Sequence, residues 1–178
     1  ICGGTPTGGG RPQTGGGMKI TAQEEYGLRC LLQLASAPQG QVTAVKEIAA
    51  KEGLSSAYVE KLLRLLARAG LAHSLRGIRG GYVLNRPASQ ITIGEVIRAL
   101  GQIPTTNHIC QQFTGQQEVC VHFSNCGIRS VWSGVTNYIQ NFLDQTTLAS
   151  LLGDEYAVAD RLANRLGGLV SRKPDEKV

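Results

Sequence analysis

The stretch from residue 43 to residue 84 constrains this chain most. Val45-Lys-Glu-Ile-Ala-Ala-Lys-Glu reads as a short helix that Gly53 stops. Ser55 then supplies an N-cap, and Val59, Leu62, Leu63, Leu66 and Ala67 mark one apolar face as far as Gly70. A short helix, a turn containing glycine and a second, capped helix form a helix-turn-helix. The strand-like runs 71–75 and 82–84 follow at once, flanking Arg76-Gly77-Ile78-Arg79-Gly80-Gly81. That is a β-hairpin with a glycine-rich tip carrying two arginines. Beside a helix-turn-helix such a hairpin is a wing: its glycines let backbone approach phosphates, and an arginine fits the narrow minor groove. A solvated hairpin with incidental charge is the bland alternative.

The remaining pattern is mainly helical. Thr21-Ala22-Gln23-Glu24 forms a capping box, behind which Leu28, Leu31, Leu32 and Ala35 recur at helical spacing until Pro38 and Gly40. Another helix covers 91–100 and is closed by Gly101 and Pro104. Residues 105–127 are polar, lack periodicity and hold three of the five cysteines. Next come Ile128, Val131, Trp132, Val135, Tyr138, Ile139, Phe142 and Leu143 on a long helix. This stripe exceeds what one small winged-helix domain covers, so a second copy is expected to cover it, as a homodimer. A short helix is expected from Thr146 or Thr147 through Leu152, and a weaker amphipathic one over 155–169, fraying from Ser171. The expected class is therefore mainly α with a small β wing: a winged helix-turn-helix domain plus a long dimerisation helix. The expected units are 1–17, 18–104 (DNA reading), 105–127 (cysteine loop), 128–152 (dimerisation) and a C-terminal extension, 153–178. The Gly/Thr/Pro-rich segment 1–17 reads as a non-native or mis-set leader that packs no core, and Cys2 within it carries no functional weight.

Charge agrees with this division. Eleven Lys/Arg face six Glu between residues 18 and 104, whereas six face seven acidic residues from 105 onward. The basic surplus thus sits in the expected DNA-reading half, although charge alone is a weak indicator. No run of about 18 apolar residues exists and no basic-then-apolar leader opens the chain, so a cytoplasmic protein with reduced thiols and no membrane span is expected. Neither a phosphate loop nor a dinucleotide fingerprint is present, and the three histidines lack nucleophile partners, which argues against an enzyme.

Several segments together resemble the Rrf2 family of winged-helix transcriptional regulators, in its IscR/NsrR-like, iron–sulfur cluster-binding branch. They are the run from Met18 to Arg29, Lys46-Glu-Ile-Ala, Tyr58-Val-Glu-Lys-Leu-Leu, Ala69-Gly-Leu, Arg76-Gly-Ile-Arg-Gly-Gly-Tyr, Ile91-Thr-Ile-Gly-Glu-Val-Ile-Arg-Ala-Leu and Asp144-Gln-Thr-Thr-Leu-Ala. The resemblance spans about 18–152 and implies a dimer whose protomers each read half of an imperfect palindrome in double-stranded DNA. It puts the base-reading positions on Ala57, Tyr58, Glu60 and Lys61, beside Ser56, and the minor-groove arginine of the wing on Arg76, near Arg79. Glu60 suits a cytosine amino group, Lys61 guanine or phosphate, and Arg64 a phosphate.

Cys110, Cys120 and Cys126 are separated by nine and five residues. The resemblance implies that they hold an iron–sulfur cluster, 2Fe-2S or 4Fe-4S, although the first gap is longer than is usual in the family. One branch takes a fourth ligand from a histidine three residues past the last cysteine, where this chain has Arg129. Another takes a carboxylate from the partner's first helix, which matches Glu25, with His108 and His122 as substitutes. Three alternatives stay open: a zinc loop, which usually pairs cysteines two to four residues apart; a bare thiol switch; and simple packing. A cluster-free regulator governed by thiol oxidation or a partner protein is the competing function. Cys30, set among leucines in the first helix, reads as a small buried hydrophobe.

Overall fold

The computed structural model describes residues 20–38, 40–77, 80–101, 103, 120–122 and 124–165. Arg79, His108, Cys110, the segment 1–19 and residues after 165 lie outside them. The described elements are helices α1 (Ala22–Ser36), α2 (Val45–Glu52) and α3 (Ser56–Arg68), strands β1 (Ala72–Leu75) and β2 (Gly81–Leu84), then α4 (Ile93–Leu100), α5 (Gly127–Gln145) and α6 (Glu155–Arg165). A mainly helical winged helix-turn-helix with one small hairpin and one long helix is what the sequence led us to expect.

Local chemistry sets the boundaries. Thr21 Oγ1 accepts from the Glu24 amide while the Glu24 carboxylate accepts from the Thr21 amide at 2.7 Å, closing the capping box of α1. Gly53, at φ +66°, ends α2 in the left-handed region and donates to the Ala49 carbonyl. Ser55 caps α3 by accepting from the Tyr58 amide. Each such cap contributes about 1 kcal/mol. A second box, Thr92 with Glu95, opens α4 two residues later than periodicity alone suggested. Burial pushes the Glu95 carboxyl up, but the Thr92 amide and the Arg86 guanidinium outweigh it and hold it below its ordinary value. The short helix expected to run through Leu152 is a single 3-10 turn, Leu148–Leu151, and its N-cap residue Thr147 makes no side-chain cap.

The core lies among α1, α2, α3 and α4. Leu31, Ile48, Leu62, Leu63, Leu66, Leu71, Ile91, Val96 and Leu148 are fully buried there, each contributing about 2 kcal/mol of hydrophobic stabilisation. Cys30 is among them, as expected. The hairpin pairs Ala72 with Leu84 and Ser74 with Tyr82, antiparallel. It is anchored to the α1–α2 connection, where Thr43 and Tyr82 exchange backbone hydrogen bonds of 3.0 and 2.9 Å. Gly81 is required at this crossing, because a Cβ there would stand 2.3 Å from the Thr43 carbonyl oxygen.

The far end of α5 is tied back to the same domain. The Ile93 amide donates to the Thr146 carbonyl and the Leu148 amide to the Ile91 carbonyl, both at 2.8 Å. Arg98 on α4 reaches Asp144 on α5 at 2.6 Å, across the bare backbone of Gly94. At the opposite end, Cys126 precedes the first turn of α5 without making a side-chain cap.

Candidate nucleic-acid interface

Helix α3 turns Val59, Leu62, Leu63 and Leu66 into the core, and so must turn the intervening positions outward. Ser56, Ala57, Lys61, Arg64 and Arg68 are exposed, spaced as one face of the helix. Arg76 is exposed at the start of the hairpin tip, on the chain that leaves β1. Five of the eight sequence-predicted DNA-contacting residues (Ser56, Ala57, Lys61, Arg64 and Arg76) are thus accessible, the first four along one stretch of α3.

The other three differ. Tyr58 is half-buried, with its ring edge-on to that of Tyr26 at 6.3 Å. Glu60 is half-buried too, and its carboxylate takes a hydrogen bond from Arg64 at 2.5 Å. Arg79 lies outside the described residues. The Glu60 hydrogen bond and charge, together with the Tyr82 hydroxyl, hold the Arg64 guanidinium above its ordinary pKa, so it remains a fixed cation. Between α3 and the hairpin runs a groove of about 420 Å³, lined by Arg64, Ala67, Arg68, Ser74 and Tyr82. Arg68 and Ser74 were missing from the sequence reading. The spacing 57, 61, 64, 68 would have found Arg68; nothing local points to Ser74.

The cysteine set is only partly within view. Cys120 and Cys126 are free and half-buried near the start of α5, while Cys110 and His108 lie outside the described residues. Among the described residues no three His, Cys, Asp or Glu side chains are grouped as a metal site. Glu25, expected to be free for a ligand role, is paired with Arg29 one turn along α1 at 2.9 Å, and both side chains remain half exposed. His122 is exposed. Helix α5 leaves Ile128, Val131, Trp132, Val135 and Tyr138 exposed by 44–65%. No helix among the described residues is long and apolar enough to cross a membrane.

Comparison with known proteins agrees with this geometry. Residues 20–154 match the family model described as Rrf2, iron-dependent transcriptional regulator. The chain is 34% identical over 137 residues to Protein rrf2 of Nitratidesulfovibrio vulgaris, covering 77% of this chain and 89% of that protein. It is 31% identical over 163 residues to the HTH-type transcriptional regulator IscR of Serratia proteamaculans, covering 90% and 96%. Among solved structures it is similar to CymR, the global cysteine regulator of B. subtilis, with a TM-score of 0.61, 32% identity and coverage of 74% and 94%.

Proposed function

The chain belongs to the Rrf2 family of DNA-binding transcriptional regulators, and we propose that it works as a homodimer reading the two halves of an imperfectly palindromic operator. One observation supports this reading: α3 buries its apolar stripe and leaves Ala57, Lys61 and Arg64 exposed, and Arg76 is exposed at the foot of the hairpin tip. In the bound state the N-terminal turns of α3, with Ser56, Ala57, Tyr58, Glu60 and Lys61, enter the major groove. Arg76 and Arg79 approach the minor groove, and Arg64 meets phosphate. Glu60 accepts from a cytosine amino group by sharing its carboxylate with Arg64, so the pair reads as a unit. Residues 18–104 form the reading head and 128–152 the dimer contact, where the exposed stripe of α5 meets its own copy.

Control enters through 105–127. The better-supported reading needs no resident cofactor: the thiols themselves, or a partner protein, set the state. The free thiols of Cys120 and Cys126 beside α5 support it, as does likeness to a global cysteine regulator. Cys126 immediately precedes α5, so a bond formed there alters how the chain enters the dimerisation helix. Because half-site spacing is a geometric requirement, a small rotation of one head against the other changes affinity.

A second reading keeps the iron–sulfur cluster. The family description and the likeness to IscR favour it, and three thiolates are a suitable donor set. Cys110, Cys120 and Cys126 would hold the cluster, with Glu25 of the partner subunit as fourth ligand once it leaves Arg29. When bound, the cluster would supply sensitivity to oxidants, nitric oxide or iron supply.

One experiment tests both. Anaerobically purified protein is assayed for iron, acid-labile sulfide and operator binding, before and after thiol oxidation. Iron with labile sulfide, lost in Cys120→Ala, carries the second reading. Absence of both, with an affinity that shifts on oxidation or on adding a partner protein, carries the first. A two-chain species without salt-sensitive preference for any duplex, in either redox state, overturns the regulator itself.

A further inference from the structure

We propose that the groove between α3 and the hairpin seats one backbone phosphate of the duplex, gripped by Arg68 and Arg64 with the Ser74 hydroxyl. The inference rests on the DNA-reading function proposed above and adds to it a contact that fixes how the head sits without choosing sequence.

The lining is what a phosphate requires. Arg64 and Arg68 contribute two guanidinium forks, Ser74 and Tyr82 two hydroxyls, and no carboxylate lines the groove. Arg68 has no acidic partner among the described residues, whereas Arg64 shares its charge with Glu60. Guanidinium forks match phosphate oxygens in pairs, which a flat base edge seldom offers twice. The floor is firm: Tyr82 is nearly buried and its backbone is held at both polar atoms by Thr43. Ala67, small and half-buried, leaves the space open between the two arginines.

Position along the helix argues the same way. From Ala57 to Arg68 the exposed face runs eleven residues, about 16 Å at 1.5 Å per residue. A recognition helix reads bases with its N-terminal turns. Its last turn therefore comes out at the rim of the groove, where the phosphates are. Ser74 and Tyr82 of the hairpin line the groove beside Arg64 and Arg68.

The test is a fluorescence-anisotropy titration over a range of KCl. The probes are a 30-base-pair duplex that the wild-type dimer enriches from a random library, and a shuffled duplex of the same composition. Arg68→Gln is expected to weaken both duplexes by the same factor, about three- to tenfold, and to lower the salt slope by about two, one for each protomer. Arg68→Lys should retain the wild-type slope, and Ser74→Ala should weaken both duplexes about twofold. An unchanged slope and unchanged affinities in Arg68→Gln overturn the phosphate seat. So does a loss confined to the enriched duplex, which would make Arg68 a base reader. Failure of the wild type to enrich any duplex overturns the regulator reading first, and is distinguished by needing no variant.

Discussion

Helices α3 and α5 both carry wide apolar stripes, and the two stripes meet opposite fates. In α3 every large apolar residue of the stripe is sealed: Val59, Leu62, Leu63 and Leu66 have no exposed surface. In α5 the buried member is Thr136, while Ile128, Val131, Trp132, Val135 and Tyr138 face outward. The difference is one of partners. Helix α3 is wrapped by α1, α2 and α4, so its outer face is released for a ligand. Helix α5 packs on its own domain near its C-terminal end, through Leu143 and the Arg98–Asp144 pair, and leaves the apolar surface from Ile128 to Tyr138 for another chain. One helix is finished within the protomer; the other is half of something.

The harshest way to break that comparison is Trp132→Asp combined with Val135→Asp. Charges placed on an interface that needs to be dry should dissociate the dimer and lower operator affinity a hundredfold or more, through lost bivalency. Sedimentation and anisotropy would register both losses, while the melt of the monomeric domain stays in place. A variant that remains a dimer would refute the contrast. Leu62→Ala strikes the sealed stripe instead and should cost about 3 kcal/mol in urea unfolding, independent of protein concentration. Val131→Ala on α5 should show a smaller, concentration-dependent loss.

A subtler contrast concerns the tip of the hairpin. Arg76→Ala should weaken operator binding about tenfold without changing stability, because the side chain is exposed and the contact proposed for it is with DNA. Titration with the wild-type operator measures it.

Cysteine chemistry separates the two regions as well. Burial first, and the nearby charge of Glu52 second, push the Cys30 thiol up to about 12. In the folded protein it stays neutral where the unfolded chain would ionise. That stability is complete below about pH 9, and is lost as pH rises toward 12. At pH 8, iodoacetamide followed by peptide mass analysis should mark Cys120 and Cys126 and spare Cys30. Modification of Cys30 in native protein would mean that the α1 core opens readily. The smallest effect expected is that of Arg98→Ala. The Arg98–Asp144 pair is half exposed, so its removal should cost less than about 1 kcal/mol, measured by urea unfolding. Its mark would be in the angle of α5 rather than in the melt.

Much of the molecule was legible before any coordinates. The capping box at Thr21, the stop at Gly53, the cap at Ser55 and the hairpin around Arg76 each depend on groups within a few residues of one another. Periodicity then shows which face of α3 must be exposed, and with it Ala57, Lys61 and Arg64. The pairing of Glu60 with Arg64 lies at helical spacing and was open to view, though the sequence reading assigned each side chain a separate task. The expectation for Glu25 missed its nearest cation in the same way: Arg29 stands one turn away.

Sequence alone thus determined the helices, their caps, the wing and the exposed face of α3, because hydrogen bonds and hydrophobic period act locally. Tertiary structure decided which stretch of α5 is left uncovered, that Thr43 braces Tyr82, and that Ser74 and Arg68 line one groove. Those relations join residues from separate elements, and their geometry exists only once the core has packed and set the angles between them.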